Sequence, residues 1–222
     1  SATLLLRSQR NLTQLDPGFP VAEFDQFRVG LRGDTYRDPL RRLQFFERLR
    51  DNLRALPGVR DVGVASFIFT APPVGYQGFT QEGDGLQISE SPKHALPCFV
   101  LPDLFRALSL RLIEGRFLDE TDVAGRPSVT VINASLAAKY FPGQSALGKR
   151  IRLEGPRTEW VEIVGVVSDV LGTGNQPRVI DTFYLTISQW PPPGLGISFI
   201  VRHAGVAPDA RSLEHAMAQL DP

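Results

Sequence analysis

The sequence predicts an α+β fold in which a β-α-β unit near the start of the chain and a β-α unit at its end share one sheet, with a strand-rich segment inserted between them. Three observations predict it. An apolar stripe at helical spacing lies between two strand patterns, "EFDQFRVGL" and "VRDVGVASFIF". The middle of the chain reads as a succession of short strands. The chain closes with a strand, "ISFIVRHA", followed by a helical pattern from Pro208 to Leu220.

Each element follows from local chemistry. In the opening "SATLLLRSQRNL", a short apolar block (Leu4, Leu5, Leu6) precedes Arg7 and Arg10, which by composition reads as a terminal helix. From Glu23 to Leu31 the alternation puts Phe27, Val29 and Leu31 on one face of a strand. Gly33-Asp34 turns the chain. Asp38 as N-cap and Pro39 at the first helical position start a helix whose Leu43, Phe46, Leu49, Leu53 and Leu56 form one stripe, stopped by Pro57-Gly58. Val59 to Phe69 is the second strand, and the crossover is expected to be right-handed. Thr70 to Gly85, rich in Pro and Gly, reads as a loop with a short strand at Gly78 to Glu82. A strand near Cys98 to Leu101 leads into a short helix at Pro102-Asp103, and a strand or turn from Leu110 to Ile113 ends at Gly115. Val129 to Ile132 enters a helix capped by Asn133, with Leu136, Ala137, Tyr140 and Phe141 on its apolar side and Pro142-Gly143 as its stop. "KRIRLEG", "WVEIVGVVSDV" and "DTFYLTIS" are further strands. In the last helix Leu213, Ala216, Met217 and Leu220 share a face.

Bulk properties narrow the function. The 222 residues carry 24 Lys plus Arg against 24 Asp plus Glu, a formal charge of zero. The length fits one large or two small domains. Charge balance argues against a nucleic-acid binder and gives no attraction to an anionic membrane surface. The single cysteine, Cys98, forms no intramolecular disulfide and builds no thiolate zinc site. The sequence holds no apolar run long enough to cross a bilayer and no signal-peptide pattern.

A search for chemistry finds little. His94, His203 and His215 stand apart without ligand spacing, and Cys98 sits in the apolar run "PCFVL" as a buried, inert thiol. "GTGNQP" begins like a phosphate loop but lacks a third glycine and a following helix, so it reads as a turn. Asp119, Glu120 and Asp122 in "FLDETDVAG" lack the spacing of a calcium loop and read as an acidic, solvated turn that caps a helix. Arg41, Arg42, Arg48, Arg50 and Arg54, interleaved with Glu47 and Asp51, read as a solvated helix face. Lys149, Arg150 and Arg152 read as rim charges, while Leu147, Ile151 and Leu153 anchor the same segment. The sequons at Asn11 and Asn133 carry no support for a glycan. No catalytic, cofactor-binding or metal-binding residue is assigned.

Collinear segments carry more than any single motif. "LLLRSQRNLTQLDPGFPVAEFDQFRVGL", "YRDPLRRLQFFERLRDNLRALPGVRDVGVAS", "FVLPDLFRALSLRLIEGRFLDETD", "VTVINASLAAKYFPGQSALGKRIRL", "WVEIVGVVSDV" and the closing "LDP" occur in this order over nearly the whole chain. Together they resemble the extracytoplasmic core domain of MacB/FtsX-type ABC transporter permeases, most of all the duplicated orphan permeases that lack a fused ATPase. The resemblance implies a periplasmic domain between the first and second membrane helices of an inner-membrane permease. Residues 1–22 would follow a membrane helix, turning Leu4 to Arg10 into its emerging end. Residues 23–88 and 195–222 would form a β-α-β "porter" part, and residues 89–194 an inserted, strand-rich "sabre" part. The implied role is non-catalytic: it couples ATP hydrolysis on a cytoplasmic ATPase to periplasmic movement, in efflux, lipoprotein transfer or control of a partner. Implied partners are the permease's own membrane helices, the ATPase, and a periplasmic adaptor or a second permease copy. The isolated domain is expected to be a monomer without cofactor. An alternative is a ligand- or partner-sensing module using the loops Thr70 to Gly85 or Gln189 to Gly196, with Trp190 as an exposed anchor or, more plainly, a packed turn. An enzyme is the third reading, and no acid, base and nucleophile set supports it.

Overall fold

A computed structural model of the chain describes residues 2–5, 23–66, 75–84, 93–157, 159–172, 178–192, 196–205 and 208–220. The strands are β1 (Ala2–Leu5), β2 (Phe24–Leu31), β3 (Val59–Ala65), β4 (Gln77–Gln81), β5 (Lys93–Val100), β6 (Leu112–Gly115), β7 (Val129–Asn133), β8 (Arg150–Leu153), β9 (Val161–Val167), β10 (Leu171–Gly172), β11 (Arg178–Val179), β12 (Thr182–Thr186) and β13 (Gly196–His203). The α-helices are α1 (Pro39–Arg54), α2 (Leu104–Ala107), α3 (Ala134–Tyr140) and α4 (Ala210–Ala218). The fold is α+β, with few helices and many strands.

The two ends of the chain build one sheet, in the order β1-β2-β13-β3. β13 is antiparallel to both β2 and β3, so β2 and β3 run parallel with β13 between them. The expected β-α-β unit is therefore split by a strand from the far end of the chain. α1 starts as its sequence dictates, with the Asp38 carboxylate accepting from the Leu40 amide at 2.9 Å and Pro39 following. It buries Phe45, Phe46, Leu49 and Leu53 against Phe27, Val29, Leu31, Val62, Val64, Phe199 and Val201 of the sheet. α4 adds Leu213, Ala216 and Met217 to the same core, and its Leu220 packs at the margin.

The middle strands close on themselves. β5 pairs with β12, β12 with β7, β7 with β9, β9 with β8, β8 with β4, and β4 returns to β5. β6 lies outside this ring on β9. Phe79, Ile132, Ile151, Ile163, Phe183 and Leu185 belong to the core of this part. β4 is thus a ring strand, although the sequence division at residue 88 groups it with the first part. β5 is shared: one edge pairs with β4 over Lys93–Ala95 and then meets β3 at Val100. Between these stretches stands Pro97, which has no amide hydrogen to donate, so the ladder breaks where ring and sheet part.

α2 joins the two parts. Leu104, Phe105 and Leu108 lie in one buried cluster with Ala65 and Ile200 of the sheet and Cys98, Val131, Val167 and Tyr184 of the ring. Gly63 on β3 allows the close approach, since a Cβ there would stand 2.9 Å from Leu104 Cδ1 and 3.0 Å from Ala107 Cβ.

Two local expectations are corrected. Ala2–Leu5 is not helical: it forms an edge strand antiparallel to β2, with Ala2 opposite Leu31 and Leu5 opposite Arg28. The outer edge of β2 offers unpaired backbone donors and acceptors, which outweigh the weak helical preference of four residues. No helix follows "FLDETD", so Asp119, Glu120 and Asp122 cap none; the next element is β7.

Candidate functional site

The residues considered for chemistry in the sequence lie apart in the fold. His94 and His215 are exposed, and His203 is buried with Nε2 3.2 Å from an Asp25 carboxylate oxygen. Cys98 is fully buried. Among the described residues no group of His, Cys, Asp and Glu is placed to hold a metal ion. Residues 173–177 of "GTGNQP" lie outside the described residues, but β10 and β11 on either side form an antiparallel pair. Residues 70–74, 85 and 193–195 of the two contact loops also lie outside them. The described part of the second loop contradicts an exposed anchor: Trp190 is 6% exposed, with the Arg157 guanidinium 4.5 Å from its ring centre. Asn11 is not among the described residues.

Lys149, Arg150 and Arg152 stand exposed on the rim. Arg150 pairs with Glu82, and Arg152 lies over the Trp160 ring at 5.1 Å. Ile151 and Leu153 are buried between them, and Leu147 is half-buried.

Asn133 occupies the N-cap position of α3, yet its side chain makes no cap bond. The structure corrects that role. Its amide donates to Asp169 at 2.7 Å and to the Ile180 carbonyl at 3.0 Å, and its oxygen accepts from the Thr182 amide at 2.9 Å. The cap is supplied from another segment: Asp169 accepts from the Ser135 amide at 3.0 Å. A side chain 1% exposed and bonded on both atoms is closed to a glycan.

Asp122 is likewise not solvated. It is 6% exposed, takes two 2.8 Å bonds from the Arg116 guanidinium and accepts from the Asp119 amide at 2.9 Å. The Asp122 carbonyl accepts from the Thr186 hydroxyl at 2.9 Å, fixing the loop to β12.

The densest ionic constellation among the described residues lies at the seam between sheet and ring. Arg50 Nη1 donates to Asp103 at 2.8 Å, Arg54 stands 3.6 Å from the same carboxylate, and Arg106 donates to it at 2.6 Å. Arg106 also reaches Asp61 of β3 at 2.6 Å. Burial disfavours the Arg50 charge, but the Asp51 hydrogen bond and the Asp103 charge outweigh it and hold its pKa raised. For Arg106, the hydrogen bond to Asp61 leads the upward shift. Arg42 is also withdrawn from solvent, donating to the Tyr36 carbonyl at 3.3 Å and the Pro192 carbonyl at 3.4 Å. The solvated-face reading therefore holds for Arg41, Arg48 and Arg54 but not for Arg42 or Arg50.

Beside this network lies a cleft of about 490 Å³ between α1 and the 119–123 turn, floored by Val100, Leu101 and Ile187. Glu47 projects from its α1 wall. Burial raises the Glu47 pKa, Arg50 opposes the rise, and Asp51 and Glu120 add to it. The seam cluster escaped sequence reasoning because its members come from α1, α2 and β3. Its local signals were two spacings of one helical turn, Arg50 with Arg54 and Asp103 with Arg106.

Solved structures with similar folds come from periplasmic or extracellular regions of transporters. The periplasmic region of MacB from Actinobacillus actinomycetemcomitans is similar with a TM-score of 0.55 and 16% identity, over 89% of this chain and 82% of its own. The extracellular domain of the noncanonic ABC-type transporter YknZ from Gram-positive bacteria is similar with a TM-score of 0.48 and 16% identity, over 78% of this chain and 80% of its own. No curated protein matches the sequence. The MacB-like periplasmic core domain matches residues 10–221. With that match over nearly its whole length, the chain belongs to the MacB-like periplasmic core domain family of ABC transporter permeases.

Proposed function

We propose that this domain transmits movement on the periplasmic side of an inner-membrane permease, driven by ATP hydrolysis on a cytoplasmic ATPase, and that it carries out no catalysis of its own. In this reading the chain's two ends build the porter-like part and the strands between them the sabre-like part, with β4 counted among the latter. Residues 1–22 lead from the membrane. A periplasmic adaptor or a second permease copy receives the movement, and the domain alone is a monomer. The observation that supports the reading is the single buried cluster through α2, which contains side chains of both sheet and ring. Close-packed interiors transmit displacement with little slack, so a push on the sheet reaches the ring. No nucleophile or acid–base set is needed for such work.

The test uses the permease reconstituted with its ATPase. Cys98 is buried, so introduced surface cysteines take spin labels selectively. Labels go at Leu40, which is 65% exposed, and at exposed Lys149. On ATP addition the Leu40–Lys149 distance within one domain should hold while the distance between domains changes. A change confined to the intradomain pair, or no change at all, overturns the proposal.

A further inference from the structure

Val62 and Val64 of β3 face α1, whereas Gly63 and Ala65 face α2, so the two helices lie on opposite faces of the sheet. β3 is the edge strand nearest the ring. Its backbone is joined to β5 only at its end, where the Ser66 amide donates to Phe99 at 2.9 Å and the Leu101 amide donates to Val64 at 3.1 Å. The rest of its outer edge, Val59 to Gly63, pairs with no described strand.

Asp103 stands where the strands diverge. It occupies the N-cap position of α2, a place where aspartate ordinarily bonds the first helical amides, yet it makes no cap bond. Its carboxylate is instead taken up by guanidinium groups from both faces: Arg50 and Arg54 from α1, Arg106 from α2. Arg106 carries the chain of pairs on to Asp61 of β3. The Arg50 and Asp103 side chains are 13% and 14% exposed, so the central pair is well shielded, while Arg54 and Arg106 at 39% and 54% meet solvent. A residue that gives up its local role for a long-range one marks a site where tertiary demand prevailed.

We infer that Asp103 and its arginines form an ionic clasp wrapped around the β3 edge, which locks the angle between sheet and ring, and that the Ser66–Phe99 and Val64–Leu101 bonds are the pivot about which the two parts turn when the clasp opens. In the transmitting domain the clasp stays closed, so sheet and ring move together; opening it by substitution or salt frees the turn.

Amide hydrogen exchange on the 222-residue chain tests it. Asp103→Asn keeps the shape and removes the charge. The last turn of α1 and the first turn of α2 should exchange about 10- to 100-fold faster, as expected when a partly buried charged pair is lost. The pivot amides of Ser66 and Leu101 should keep their protection, as should β7 and β9 in the ring. In the unsubstituted chain about 1 M salt should produce a weaker form of the same map, since screening reaches the exposed arginines first, and Asp103→Asn should be nearly indifferent to salt. If Asp103→Asn does not fold, Arg50→Gln combined with Arg54→Gln opens the clasp from the α1 side and must give the same map. Faster exchange at Ser66 and Leu101 together with the helices would mean that the seam melts as a unit, and would overturn the pivot. Unchanged exchange in both helices would overturn the clasp.

Discussion

Replacing Phe105 with alanine tests whether sheet and ring share one core. The ring of Phe105 is 2% exposed on α2. It meets Tyr184 of β12 edge-on at 5.4 Å between centroids and Phe117 at 5.2 Å. Its cluster includes Ala65 and Ile200 of the four-stranded sheet and Val131 and Val167 of the strand ring. Burying a phenylalanine and then leaving its space empty costs about 3–5 kcal/mol, because transfer energy and a residual cavity add. Two aromatic contacts place this site in the upper part of that range. For a chain of this size each kcal/mol moves the melting temperature by about 2–4 °C, so a fall of roughly 10 °C is expected. Urea unfolding followed by both fluorescence and circular dichroism is the assay. Phe105→Ala should lower the midpoint in one transition seen equally by both probes, and Leu40→Ala, at a position 65% exposed, should stay within about 0.5 kcal/mol of the parent. A loss under about 1 kcal/mol, or a split transition in which the sheet keeps its original midpoint, would refute the shared core.

Other substitutions probe single contacts. Asn133→Ala strands the Thr182 amide, while the Ile180 carbonyl keeps its bond from the Thr182 hydroxyl, and should cost about 1–3 kcal/mol, measured by urea unfolding. Asn133→Asp should cost more, because its oxygen would face the Ile180 carbonyl and the Asp169 carboxylate, and expression in a glycosylating host should add no mass at this position. Gly165→Ala on β9 should destabilise by about 1–3 kcal/mol, since a Cβ there overlaps the Arg116 carbonyl oxygen and neither backbone can yield; equal midpoints would deny the close approach. Asp209 caps α4 through the Ser212 amide at 2.8 Å, and its bonds with Ser212 hold its pKa below the usual aspartate value. A lowered carboxylate pKa contributes stability that is full above the ordinary value and disappears as pH falls through the lowered one. Protection at the start of α4, corrected for the intrinsic exchange rate at each pH, should therefore fall on acidification, and Asp209→Ala should remove that response.

The elements that the sequence announced are those whose causes are local. α1 was legible from Asp38-Pro39 and a stripe of leucines and phenylalanines, β2 from the alternation of Phe27, Val29 and Leu31, and α4 from Leu213, Ala216 and Met217. Each depends on residues within a few positions of one another, where period and capping chemistry suffice. Where a side chain reaches far along the chain, the local rule failed. Asn133 and Asp103 both sit at N-cap positions without a side-chain cap bond: Asn133 bonds Asp169, Ile180 and Thr182, and Asp103 pairs with Arg50 of α1 as well as with Arg106 of its own helix. Asp122 read as solvated until Arg116 and the β12 hydroxyl of Thr186 closed around it.

By itself, the sequence determined the longer helices and most of the longer strands, the balance of charge and, through collinear segments, the family. Only the tertiary structure decided that β13 would enter between β2 and β3, that the middle strands would close into a ring with β4 as a member, and that Arg50 would be drawn off the solvated face into the seam. The reason is that strand order and side-chain pairing are set by the burial of whole faces and by the satisfaction of backbone edges, and these are properties of the assembled chain. Pro97 shows the border between the two: its missing amide hydrogen can be read from one letter, but only the fold gives that absence its meaning, as the place where ring and sheet part.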